Sequence, residues 1–412
     1  MANILDEFKE RGLVKQIVYE EELHELLEKE KVVCYMGFDP SADSLQMGNI
    51  AALCMLLRMK KAGHKPIALI GGATGRIGDP TGRNDMRPQK TLEQINHNVE
   101  CIKKQIKDFF ELNGESDITI VNNDDWTSKL SYYDFLNDIA MNMSVNRMLA
   151  SECFKARMEN GLTLAEFAYM PMQANDFLHL FKTHNCVLEL GGDDQWANIL
   201  AGVELVRKKE GAPVFAATLP LLTKADGTKM GKSAGGAVWV SREKTSDYDF
   251  YQFFRNTEDV KVKEMFRVLT LLPMDEIDEI CKGEGRALNI AKERLAYEVT
   301  KLVRGEKSAK EAQEQARANF GGNTQEMKAV EIKKEDAKTI VDLLLALKVA
   351  SSRGDAKRLV DGKGIRIDDE LVESYDFPII KQVFVLQKGK KGIQKVKLVW
   401  WKHFIVLQVI VL

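Results

Sequence analysis

The stretch KVVCYMGFDPSADSLQMGNIAALCMLLRMKKAGHKPIALI, residues 31–70, decides the fold. Residues 31–36 form a short β-rich run, residues 48–62 have helical periodicity that stops at Gly63, and residues 66–70 are apolar enough for a buried strand. Strand, helix, strand in that order is a βαβ unit, which lays two parallel strands side by side. The alternation continues outward with an amphipathic helix near 91–112, a strand at 118–122, helices across 131–159 and 163–182, a strand at 186–190 and a helix at 194–209. The reading is an α/β fold around a doubly wound parallel sheet, with helices on both faces and ligands beyond the carboxyl ends of the strands.

Farther along, strand signals fade. Residues 245–320 read as helices with dense Glu, Lys and Arg surfaces, and residues 321–336 look like a solvated linker. A compact α+β pattern follows: an apolar helix at 339–347, Ser351 and Ser352 as an N-cap, a short basic helix through Lys357 and Arg358, a strand at 365–367, a turn at 368–369 and a hairpin around the 389–392 turn. The expected division is therefore 1–224 as the Rossmann-like body, 225–320 as a loop and helical domain, 321–338 as linker, 339–400 as a small α+β domain, and 401–412 as an apolar tail.

Composition excludes several classes. With 412 residues, 45% hydrophobic and 29% charged, the chain has the material for two or three cores and lacks the signature of disorder. The formal charge of −2 is no polycation, but it divides unevenly: residues 340–412 carry +5 and residues 1–339 carry −7. A basic end on an acidic body hints at a nucleic-acid partner. The six cysteines are scattered without CxxC pairs or zinc spacing, so reduced thiols in a cytoplasmic protein are expected, with no dedicated metal site. Met1–Gly12 has no apolar signal region, and no run reaches the length of a membrane span.

Five segments carry candidate chemistry. Gly37-Phe38-Asp39-Pro40 follows the first strand and Gly48 opens the next helix, a joint where free N–H groups can meet an anion, although the spacing is not GxGxxG. Residues 71–83, GGATGRIGDPTGR, place five glycines after a buried strand, with Asp79, Arg83 and the nearby Arg87 adding mixed charge; the bland alternative is a flexible connection. Tyr169, Gln173 and Asp176 share one face of an otherwise apolar helix, either as a buried structural network or as the floor of a polar ligand pocket. Gly191-Gly192-Asp193-Asp194-Gln195 lies between a strand and a helix, where acidic residues also suit the helix dipole. Lys229-Met230-Gly231-Lys232-Ser233 fails as a Walker A loop, because Asp226 stands where a Gly is required; two lysines on a polar loop suit transient neutralisation of phosphates instead.

Taken together, YMGFDPSADSL, GGATGRIGDPTGR, SVNRML, FAYMPMQANDF, LGGDDQWANI, PLLTKADGTKMGKS and KTSDYDFYQFF resemble, in order, the class I aminoacyl-tRNA synthetases of the bacterial tyrosyl type. SSRGDAKRLVDGKGIRIDDELV resembles the small RNA-binding domain that this family carries third. The resemblance implies activation of L-tyrosine with ATP to tyrosyl-adenylate, then transfer to tRNA(Tyr), by a homodimer that is not membrane-bound, with Mg2+ accompanying ATP. It implies that Tyr35 and Asp176 bind the substrate phenol, that Tyr169, Gln173 and Asp79 hold its ammonium group, and that Gln195 lies near its carboxylate. Gly192 and Asp194 would hold the ATP ribose, with Gly37, Asp39 and Gly48 in the same nucleotide wall. Lys229, Lys232, Arg83 and Arg87 would grip the leaving pyrophosphate, and Arg207 and Lys208 would meet the tRNA acceptor end.

One departure stands out. The family's His-Ile-Gly-His signature is Gln46-Met47-Gly48-Asn49 here, two amides replacing two imidazoles. Amide NH₂ groups keep neutral hydrogen-bond donation, and adenylation needs no proton from them because the attacking carboxylate is already ionised. Smaller departures at Met36, Ser41, Ala52 and Asn175 bear on nucleotide affinity. The missing histidines leave an alternative, a non-catalytic paralogue that binds RNA; the intact Lys229–Ser233 loop argues for the enzyme.

Overall fold

The computed structural model describes residues 3–81, 90–151, 154–155, 158, 161–228, 230–233, 236–320, 329–368, 370–379, 381–389 and 392–399. It divides into two compact units, Met1–Lys310 and Glu311–Leu412. Residues on both sides of position 225 belong to the first.

The first unit is built on a six-stranded sheet of β1 (Gln16–Val18), β2 (Val33–Phe38), β3 (Lys65–Ile70), β4 (Thr119–Asn122), β5 (Cys186–Gly192) and β6 (Phe215–Leu219), in the order β1-β6-β5-β2-β3-β4. All pairs are parallel except β1 with β6, so the expected parallel sheet gains an antiparallel edge that three residues could not announce. The chain enters at one edge with β1, crosses to the centre with β2, winds to β3 and β4, and returns to β5 and β6 on the other side, beside β1. The crevice at the carboxyl ends of β2 and β5 is the switch point, where a doubly wound sheet receives its ligand.

Local chemistry explains the main helices. Helix α1 (Met47–Lys61) buries most of its length, including Leu53, Cys54, Met55 and Leu56, between sheet and helical region. Helix α2 (Leu92–Leu112) starts with reciprocal bonds between Thr91 and Gln94, and α3 (Leu164–His184) with the same box between Thr163 and Glu166. Asn185, in the left-handed region at φ 52°, turns α3 directly into β5. Helix α4 (Trp196–Glu210) follows β5 and ends at Gly211. Tyr35, Phe177, Leu180, Ile199 and Leu205 fill the core between sheet and helices.

Residues 131–159, expected as helices, are broken into Tyr132–Asp134, a wide turn at Phe135–Ile139, a tight one at Ala140–Asn142, and Val145–Ala150. Ser144 caps the last piece by accepting from the Arg147 N–H, and that side-chain bond starts a new helix where periodicity alone reads continuation.

Beyond the sheet, α5 (Arg286–Arg304) and its neighbours form the helical region of the same unit. The buried Arg58 of α1 donates to the carbonyls of Val268 and Arg267, both at 3.1 Å, and to that of Thr270. Its charge is thus taken up by backbone dipoles, and burial still lowers its pKa to about 10.

In the second unit, β9 (Val330–Lys333), β10 (Ile365–Ile367), β11 (Glu370–Leu371), β12 (Val383–Lys388) and β13 (Gly392–Val399) form a sheet in the order β11-β10-β12-β13-β9. The expected hairpin is β12 with β13. The expected linker needs correcting, because Val330–Lys333 pairs in parallel with Val396–Val399. A four-residue edge strand with alternating Glu331 and Lys333 has a polar composition, and only its partner makes it a strand. Ser352 caps the basic helix Arg353–Asp361 as expected. The apolar tail 401–412 lies outside the described residues.

Candidate active site

Three strand ends converge on the switch point. From β2 come Tyr35, Gly37 and Asp39; from the loop after β3, Thr74 and Asp79; from the end of β5, Glu189, Gly192, Asp194 and Gln195. Helix α3 crosses them with Tyr169, Gln173 and Asp176. The structure shows the polar stripe as a hydrogen-bonded network at the switch point.

The network is specific. Asp176, 2% exposed, accepts from Asn123 Nδ2 and Trp126 Nε1, each at 2.9 Å. Asn123 also holds the glycine-rich loop, accepting from Ala73 N at 2.8 Å and donating to Thr74 Oγ1 at 3.1 Å. Tyr169 donates to Asp39 Oδ2 at 3.2 Å. Gln195 donates to Asp79 Oδ2 and accepts from Asn198 at 3.0 Å, so both ends of its amide are fixed. Gln173 donates through Nε2 to Glu189 Oε1 at 3.1 Å.

The Tyr35 hydroxyl and Oε2 of Glu189 are both buried in this wall and lie against each other, with no further hydrogen-bond partner for either. Burial pushes Asp176 and Glu189 each up to about 7, against the hydrogen bonds that favour their ionised forms. Burial, then the charges of Glu189 and Asp176, raises the Tyr35 phenol well above its ordinary value, so it remains a neutral donor.

The glycines do more packing than expected. A Cβ on Gly71 would lie 2.4 Å from Thr74 Oγ1 and 2.6 Å from Asp39 Oδ1, and one on Gly72 would lie 2.3 Å from Asn122 Oδ1. Their smallness lets polar side chains close over the loop. Gly37 and Gly48, by contrast, face open space. On Gly192 a Cβ would meet Asp194 Oδ1 at 2.7 Å, so that glycine lets the carboxylate fold back over the strand end.

The opposite wall is the start of α1. Gln46 is exposed, and its backbone N–H donates to Asn49 Oδ1 at 3.0 Å, which fixes the Asn49 amide with its NH₂ group as the remaining donor. Lys232 opens the two-residue strand β7 (Lys232–Ser233), paired with β8 (Gly236–Ala237). Lys229, Arg83 and Arg87 lie outside the described residues.

Arg207 and Lys208 sit at the far end of α4 from Gln195, and both are engaged within the chain. The Arg207 guanidinium lies 3.7 Å from the Tyr19 ring centroid and donates to Val214 O, while Lys208 donates to Asn142 O at 2.6 Å. Sequence reasoning missed Asn123, Trp126 and Glu189. The signal for Glu189 was a single charge inside the buried run CVLEL; for the other two it was NNDDW at the carboxyl end of a parallel strand. Asp193, next to the chosen Asp194, proves structural: it accepts from Gln16 at 2.6 Å and Thr218 at 3.1 Å, tying down the sheet edge.

Residues 27–321 match the family described as tRNA synthetases class I (W and Y). A tyrosine–tRNA ligase of Acetivibrio thermocellus is 47% identical over 409 residues, covering 97% of this chain and all of that protein. One from Clostridium kluyveri is 47% identical over 404 residues, 96% of this chain and 99% of its own length. Among solved structures, a C-terminally truncated mitochondrial tyrosyl-tRNA synthetase of Aspergillus nidulans superimposes with a TM-score of 0.69 at 30% identity, covering 77% of this chain and 94% of that one. With near-complete coverage in both directions on top of the converging strand ends, the chain belongs to the class I tRNA synthetases, in the bacterial tyrosyl-tRNA synthetase branch.

Proposed function

We infer that the chain is a tyrosine–tRNA ligase in which each wall of the crevice serves one substrate. The observation that carries the site assignment is a cluster of three buried groups at the switch point, the Tyr35 phenol against Glu189 with the Asp176 carboxyl near enough to act on it by charge. A phenol both donates and accepts one hydrogen bond, so it suits a carboxylate acceptor and a hydroxyl donor together. Phenylalanine would offer neither group this partner, leaving Asp176 with only Asn123 and Trp126, which is how the pocket rejects it.

Tyr169, Gln173 and Asp79 receive the ammonium group and Gln195 lies near the carboxylate. That carboxylate, already ionised, attacks the α-phosphorus of ATP; the bond to pyrophosphate breaks and tyrosyl-adenylate forms. Gly37, Asp39, Gly48, Gly192 and Asp194 hold the nucleotide, Gln46 and Asn49 donate to it, and Lys229, Lys232, Arg83 and Arg87 neutralise the departing pyrophosphate. Cations that engage mainly in the transition state raise the rate more than the ground-state affinity. A ribose hydroxyl of the tRNA 3′ end then attacks the tyrosyl carbonyl and AMP leaves. Mg2+ is assigned as accompanying the ATP.

The tRNA is assigned to Arg207, Lys208 and the second unit. A second copy of the chain is assigned to the exposed apolar residues Tyr132, Tyr133, Met141, Val145 and Leu164, which are 55 to 83% exposed. No helix among the described residues is long and apolar enough to cross a membrane, and a cytoplasmic setting suits the free thiols of Cys34, Cys54, Cys101, Cys186 and Cys281.

The deciding experiment is pyrophosphate exchange with ATP, dependent on tyrosine and not on phenylalanine or tryptophan. Absence of exchange with tRNA binding intact would favour the non-catalytic reading. Sedimentation of the full chain and of Leu164→Asp tests the homodimer, which the variant should dissociate.

A further inference from the structure

The segment after the Lys232 loop is held from two sides. On one side it runs along the residues leading into α1: Met47 N donates to Val238 O at 2.9 Å, Val240 N to Leu45 O at 2.8 Å, and Ser241 N to Ser44 Oγ at 3.0 Å, with Gln46 and Trp239 as a bridge pair. On the other side stands Arg304, the last residue of α5, 4% exposed. Its Nη1 donates to Thr245 O and Asp247 Oδ1, both at 2.8 Å, and its Nη2 to Trp239 O at 2.9 Å. The guanidinium lies 4.2 Å from the Phe250 ring centroid. Trp239 N donates to Thr245 Oγ1 at 3.0 Å, so both backbone polar groups of Trp239 are committed to this one turn.

The Arg304 guanidinium meets these three acceptors through two nitrogens with fixed donor directions; lysine carries the charge without the planar fork. Burying that charge is expensive and is repaid by fixing two carbonyls and a carboxylate together. Through Trp239 the fixed point sits one strand away from Gln46 and a few residues from Lys232.

We propose that Arg304 is a positioning residue for amino-acid activation: by holding the Trp239 carbonyl it fixes the strand that joins the first turn of α1 to the Lys232 loop, so both reach the nucleotide in one frame. The proposal rests on the assignment of Gln46, Asn49 and Lys232 to ATP. Arg304 itself acts only through Trp239. A helix of the helical region thereby sets the geometry of a reaction centred on the sheet.

The test uses the full chain with Arg304→Lys, Lys232→Ala and their double variant. Exchange is measured with kcat, KM for ATP and KM for tyrosine separated, alongside thermal unfolding. Arg304→Lys should lower kcat over KM for ATP on the order of tenfold or more, as a misplaced loop does, with tyrosine KM within about twofold. The double variant should lose little beyond Lys232→Ala, because the two act on one element. Leu295→Ala, a core change on the same helix, should lower Tm without that kinetic split. Should Arg304→Lys not fold, Thr245→Val, which removes the other anchor of Trp239, must give the same split. An Arg304→Lys or Thr245→Val variant that loses only Tm, or a double variant whose losses add in full, overturns the proposal. An unaffected Lys232→Ala would instead remove the site assignment on which it rests.

Discussion

The wall of the crevice built from β2, β5 and α3 is held by side chains, whereas the wall built from the start of α1 and Val238–Val240 is held by main chain. In the first, Tyr35, Asp176, Glu189, Gln173, Asn123 and Trp126 define the site through their own polar atoms. In the second, the close contacts run between backbone groups of Leu45–Met47 and Val238–Val240, and the side chains of Gln46 and Asn49 are displayed on top. The difference teaches where substitution is tolerated. A wall whose geometry lives in the backbone can exchange imidazoles for amides and keep its shape, while a wall made of buried side-chain acceptors changes its chemistry with each replacement.

The contrast breaks most visibly at the loop. Lys232→Ala should lower tyrosine-dependent exchange on the order of 10²- to 10³-fold while equilibrium tyrosine binding stays unchanged; a parallel loss of tyrosine binding would mean that the two walls do not act separately. Next comes Asp176→Ala, which strands the donors of Asn123 and Trp126 and removes the acceptor proposed for the substrate phenol. Tyrosine KM should rise about a hundredfold with KM for ATP nearly constant, and equal changes in both would blur the division. Smaller still is the paired change Gln46→His with Asn49→His, for which exchange should stay within about tenfold of the parent. Abolition by that pair would show that the amides carry more than donation.

The smallest effect concerns protons. Asp176 and Glu189 titrate at about 7 in the fold and near ordinary carboxylate values when unfolded, so between those values the folded state holds protons that the unfolded state has released. Stability from this pair therefore falls as pH rises from about 4 through about 7 and is flat above. His64 and His179, whose pKa values burial lowers, contribute the opposite slope. The measurement is accordingly a difference: relative to the parent, an Asp176→Asn, Glu189→Gln double variant should gain stability between pH 5 and pH 8 by on the order of 1 kcal/mol or more. A pH-independent difference in melting temperature would place the two carboxyls outside this linkage.

Much of this was legible in residues 31–70 and in the Tyr169, Gln173, Asp176 spacing, because the βαβ alternation and one helical face are local properties. What escaped depends on partners distant in sequence. Glu189 reads as an oddity in an apolar strand until Gln173 and Tyr35 are beside it, and Asn123 has no evident role until it bridges Asp176 and the Ala73–Thr74 loop. The choice between Asp193 and Asp194 could not be made from sequence, since only the neighbouring Gln16 and Thr218 show which carboxylate serves the sheet. Strand β9 escaped for the same reason, and it changes how the second unit should be removed. A cut at residue 340 would leave β9 behind without β13, whereas a cut at 321 takes the whole sheet.

The parallel pairing of Val330–Lys333 with Val396–Val399 also sets an order of events during synthesis. The first and last strands of the second unit are neighbours, with more than sixty residues of chain between Lys333 and Val399. Such long-range closure is slow and cannot begin until the final strand has left the ribosome. Until residues 392–399 emerge, β9 has no parallel partner and its edge stands open to pairing with other chains.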